Sequence, residues 1–62
     1  MKDENRKAIV AAAYALAGAL ASAAQDECNH NGDPHVVHLL VTEERKAATV
    51  GYRINQRFGA QN

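Results

Sequence analysis

The densest chemistry in the sequence lies in one short stretch, CNHNGDPHVVH, from Cys28 to His38. Cys28, His30, His35 and His38 offer one thiol and three imidazoles, a donor set that suits zinc. His35 and His38 share a face if a helix starts at Pro34. The Cys28-x-His30 pair is a tighter chelate than the two-to-four-residue spacing of standard zinc modules. The competing reading is a polar loop whose histidines cap a helix, hydrogen-bond or line an oligomer contact. Histidine titrates near neutrality, so such a loop also suits pH sensitivity. Cys28 with a nearby histidine and Asp33 has the residue types for acyl transfer through a thiol. Nothing in the chain supplies an oxyanion hole or a cleft, so no catalytic residue is assigned and the expectation is a non-enzyme.

A second group is basic. Lys46, Arg53 and Arg57 are spaced i, i+7, i+11 and fall near one helix face, with Tyr52 and Gln56 close by. Arg6 and Lys7 would lie across a helical hairpin from them. Arg6, Lys7, Lys46, Tyr52, Arg53 and Arg57 therefore form a candidate site for RNA phosphates or an anionic nucleotide, with a tyrosine to stack on a base. A solvated helix face accounts for the same charges. The three aromatics, Tyr14, Tyr52 and Phe58, are candidate anchors for a partner. In a chain so poor in large side chains they serve equally well as core.

The elements that position these groups follow from composition. Sixty-two residues make one small domain at most, read here as a single unit over 1–62. Seven Lys and Arg balance seven Asp and Glu. That neutrality argues against DNA and acidic membrane surfaces as partners. One cysteine excludes an intrachain disulfide framework, and the length excludes Rossmann and barrel domains. Alanine, the best helix former, occupies 13 positions, and it leaves helices free to pack closely.

Residues 8–24, AIVAAAYALAGALASAA, have the look of a signal-peptide core with an Ala21-Ser22-Ala23 cleavage pattern. The preceding MKDENRK opposes that reading, because Asp3 and Glu4 nearly cancel its three basic residues. A membrane span asks for about 20 strongly apolar residues, and alanine is weakly apolar. The expectation is a water-soluble helix in a cytoplasmic protein.

Helix one is expected over about 3–25, with Asp3 and Glu4 at its positive dipole end. Ile9, Leu16, Leu20 and Ala23 make one stripe, and Val10, Tyr14, Ala17 and Ala21 a second beside it. Residues 26–33 read as a polar turn. Asp33-Pro34 reads as N-cap and first residue of helix two, and Phe58-Gly59 as its stop, with Gly59 at C′. Helix two then covers about 34–58. Its rival is a β-hairpin, because VVHLLVT at 36–42 and TVGYRI at 49–54 are rich in strand formers. EERKAA at 43–48 is a good helix and a poor turn, which favours the helix.

Two equal helices joined by a short polar loop make an antiparallel hairpin. Its open end collects Lys2, Arg6, Lys7, Arg53 and Arg57; its loop end collects Asp26, Glu27 and Asp33. The apolar face is too wide for one partner helix. The expected architecture is all-α, oligomerising as a four-helix bundle, with a homodimer favoured.

This pattern resembles two kinds of small hairpin encoded by phages and plasmids. One is the Rop-type RNA-binding hairpin, through its two equal helices, acidic loop, alanine-rich seam and the terminal Arg57-Phe58-Gly59. That resemblance implies an aromatic on helix one, which Tyr14 supplies; most of the Rop-type basic face has no counterpart here. The other is the hairpin type of phage anti-defence proteins that sequester cyclic nucleotides at oligomer interfaces, similar over AIVAAAYALAGAL at 8–20 and over Thr42–Ile54. Three functional expectations follow. The first is a regulatory or inhibitory module binding a protein or RNA. The second is a protein that sequesters an anionic nucleotide between subunits, and the third a metal-stapled structural module.

Overall fold

A computed structural model of the chain describes residues 1–30 and 32–59. Two helices, α1 (Asp3–Asn29) and α2 (Pro34–Gly59), lie antiparallel as one hairpin. The Cα trace measures 47 × 14 × 13 Å, a rod of two helices side by side. No residue among those described adopts a strand. The β-hairpin alternative for 36–54 is therefore not taken. Thr42 and Thr49 are accommodated in α2 because their hydroxyls donate to the carbonyls of His38 and Arg45, 2.8 Å away in each case.

α1 runs one turn past its expected end near 25. No glycine or proline intervenes before Gly32, so the turn-favouring Asp26 and Asn29 stay helical on the exposed surface. Gln25 Nε2 donates to Asn29 Oδ1 (3.1 Å), and the His30 N–H caps the carbonyls of Asp26 and Glu27. Gly32 follows because its N–H donates to the Glu27 carbonyl (2.7 Å), and a Cβ there would strike the Glu27 side chain. At the start of α2, Asp33 Oδ1 accepts the His35 N–H (2.8 Å), the N-cap bond expected of it. Gly59 differs from expectation. It is the last residue of α2 and not a C′ residue beyond it, and a Cβ on it would lie 2.9 Å from Asn55 Oδ1 and 3.4 Å from Arg6.

The seam between the helices alternates steps of three and four. α1 contributes Arg6, Val10, Ala13, Ala17, Leu20, Ala24 and Glu27; α2 contributes Val37, Leu40, Glu44, Ala47, Gly51, Ile54 and Phe58. This 3.5-residue period is that of a left-handed coiled coil. Its buried positions are Ala13, Ala17, Ala24, Ala47 and Gly51. The helices approach so closely at Gly51 that a Cβ would sit 3.2 Å from the Tyr14 ring and 3.3 Å from Ala13 Cβ. Gly18, by contrast, faces open space.

Of the two adjacent stripes on α1, neither is the seam as a whole: Leu20 of the first and Val10 and Ala17 of the second face α2. The contact runs along the alanines, where small side chains let the backbones close up. Leu16 is left 54% exposed beside the seam.

Candidate functional site

The open end of the hairpin is held by a polar cluster. Asp3 accepts from Arg6 Nε (3.0 Å) and pairs with Lys7 (3.3 Å), while Arg6 Nη1 donates across the seam to Asn55 Oδ1 (2.7 Å). Hydrogen bonds from Arg6 and then Lys7 hold the Asp3 carboxyl below its ordinary value of 3.8. Of the proposed anion-binding set, Arg6 and Lys7 therefore share one carboxylate, and Lys46 lies 3.4 Å from Glu43. Arg57 stands over Phe58, its guanidinium carbon 5.9 Å from the ring centroid. The Arg53 side chain has no ion pair among the described residues.

The Cys/His group divides. Cys28 is exposed in the last turn of α1. His30 places Nδ1 2.8 Å from the Asp26 carbonyl and 3.3 Å from its carboxylate. His35 sits in the first turn of α2. Cys28 and His38 share an open depression of about 480 Å³ with Gly32, Pro34, Val37 and Val41. Among the described residues no three His, Cys, Asp or Glu side chains converge as a metal site would require.

The two broad sides of the rod differ. On one, Ile9, Ala12 and Leu16 of α1 and Val50 of α2 border a shallow groove of about 320 Å³ floored by Ala13 and Ala47. Tyr14 and Tyr52 are each two residues from a member of that groove, about 200° round their helices, and so face the opposite side. Tyr14 leans over Gly51 and keeps about half its surface exposed. Tyr52 is 58% exposed, its hydroxyl accepting from Gln56 Nε2 (2.9 Å). Phe58 is half-buried at the end of the seam.

Arg45 escaped the sequence reading. It lies seven residues before Tyr52 and seven after His38, so the three form one line along α2. Its guanidinium has no ion pair or hydrogen-bond partner among the described residues. The seven-residue spacing is the signal that would have found it.

Comparison of the chain with protein-family models, with curated proteins and with solved structures gives no match.

Proposed function

We propose that this chain is a non-catalytic interaction module, an oligomer of helical hairpins built as a four-helix bundle, that engages a protein partner in a regulatory or inhibitory role. The observation that carries the reading is the side bearing Tyr14, Tyr52 and Arg45. Two exposed tyrosines and an arginine with no side-chain partner among the described residues stand among small neighbours, Ala11, Ala21 and Ala48. Tyrosine and arginine are the residues most often found as binding hot spots, and small neighbours let a partner reach the rings.

RNA is the weaker choice. The chain is net neutral, and carboxylates from Asp3 and Glu43 interrupt the basic stripe. A nucleotide held between subunits would have to draw Arg6 and Lys7 away from Asp3. The proposed setting is cytoplasmic. α1 is long and apolar enough to cross a membrane, with mean hydropathy 1.6 over its best window. To do so it would have to leave α2, whose outer surface carries His35, Thr42, Thr49 and Gln56.

The test is affinity capture from a lysate of the source cells, with and without RNase treatment, using wild-type protein and Tyr52→Ala as bait. Tyr52 is 58% exposed and outside the run of seam positions, so its truncation is expected to leave helicity unchanged by circular dichroism. The expected result is one protein retained by wild type and reduced at least about tenfold by Tyr52→Ala, a hot-spot loss. Retention that vanishes with RNase and falls steeply with salt replaces the protein partner by RNA.

A further inference from the structure

We propose that the Ile9–Leu16–Val50 groove is closed by a second copy of this chain, packed antiparallel so that each loop end covers the other's open end. The inference rests on the oligomer reading above and names its seam and orientation.

Three observations select this occupant. The first is the chemistry of the face. Leu16, Val36, Leu39 and Val50 are 40–57% exposed, and no side chain larger than alanine is fully buried in the hairpin. On α2, Val36, Leu39 and Val50 share one stripe with the ion-paired Glu43 and Lys46, and Ile9, Leu16 and Ala23 lie on the facing stripe of α1. Leu16, Leu39 and Val50 thus lie beside the seam, while Leu20, Leu40 and Ile54 lie in it. The opposite side is interrupted by His38, Arg45 and the tyrosine hydroxyls.

The second is area. The chain exposes 4736 Å², whereas a folded monomer of its mass exposes roughly 3,900 Å² by the usual scaling. The excess, about 800 Å², is what each partner covers in a standard stable interface. A radius of gyration of 14.1 Å against about 10.6 Å for a compact chain of this length locates that excess in the rod's long sides.

The third is charge. Lys2, Arg6, Lys7, Arg53 and Arg57 against Asp3 and Glu4 leave the open end at about +3; Asp26, Glu27 and Asp33 leave the loop end at about −3. Loops side by side would repel, and loops at opposite ends attract. The pairing of Ala13 with Gly51 and of Arg6 with Asn55 sets the register of the hairpin. In that register a two-fold axis at mid-rod passes Leu16. It sets Leu16 against the partner subunit's Leu16, Ile9 near the partner's Ala23, and Glu43 level with the partner's Arg53. Such charges choose orientation, and apolar burial supplies the affinity.

Sedimentation equilibrium of the purified chain, with no partner present, reads the stoichiometry. The expected mass is twice the chain for wild type and for Tyr52→Ala, and a lowered association constant, by at least about a hundredfold, for Leu16→Lys. Lysine matches leucine in helix propensity, so the change removes the contact without penalising α1. A nitroxide on Cys28, the single cysteine, reads orientation by pulsed dipolar spectroscopy in wild-type sequence. Antiparallel packing separates the two labels by about 36 Å, from the rise per residue, and side-by-side loops by less than about 20 Å. A monomer at all concentrations, with or without flotation on phosphatidylglycerol vesicles, overturns the proposal. So does the short label distance. A dimer that survives Leu16→Lys overturns this seam while leaving an oligomer standing, and neither result touches capture through Tyr52.

Discussion

Gly51 and Gly18 are chemically identical and sit in helix interiors, yet their substitutions have opposite signs. At Gly18 a methyl group enters open space, and alanine removes the backbone entropy that glycine loses in a helix. Gly18→Ala is expected to stabilise by about 0.5–1 kcal/mol. At Gly51 the space is taken by the Tyr14 ring and Ala13 Cβ. Gly51→Leu forces the helices apart and costs about 1–3 kcal/mol, as overpacking does. For a chain of this size each kcal/mol moves Tm by about 4–8 °C, so thermal scans at one fixed concentration separate the two variants. Spacing alone showed that Gly18 and Gly51 were both helical. It did not show which one met the other helix, because that depends on how far α1 is rotated about its own axis. The same rotation leaves Leu16 exposed while Ala17 and Leu20 face α2.

At the scale of the element, α2 begins where local chemistry dictates. Asp33 accepts the His35 N–H through its side chain, and its carbonyl accepts from Val36 and Val37. Proline at the first helical position needs no donor partner. Both signals act within four residues, which is why this boundary was legible. The end of α1 was not. Asp26 and Asn29 favour turns in isolation, but the helix loses little by continuing through them on its solvent side and gains the His30 cap. Over 36–54 the helix favoured by EERKAA is the one formed, and the seam positions 44, 47, 51 and 54 share a face only at helical spacing, because 44 and 47, like 51 and 54, would fall on opposite faces of a strand. Asp33→Ala is expected to cost about 1 kcal/mol and to fray the start of α2. Hydrogen exchange checks this: the His35 amide should lose protection more than the Ala47 amide. Equal loss at both would mean the cap is coupled to the whole hairpin and not to its end.

The whole molecule has a thin seam and a wide uncovered face. Its buried positions are four alanines and one glycine, and alanine offers only a single methyl group to bury, worth about 0.8 kcal/mol. The equal helices and the separation of charge between the two ends were legible, because they depend only on order along the chain. Which broad side is apolar was not, because it depends on how each helix is rotated about its own axis. If Leu16, Leu39 and Val50 are covered by a second copy, folding and association are one equilibrium, and stability depends on concentration. Each tenfold rise in protein concentration then adds about 1.4 kcal/mol per mole of dimer, and Tm climbs by several degrees. Leu16→Lys should flatten that dependence, because the face it alters no longer finds its mate. Tyr52→Ala should keep it, because its side of the rod stays in water whether the chain is single or paired. Differential scanning calorimetry over two decades of concentration compares the three. A wild-type Tm that does not move would mean the alanine seam alone holds the hairpin, and that the exposed leucines serve something other than the chain itself.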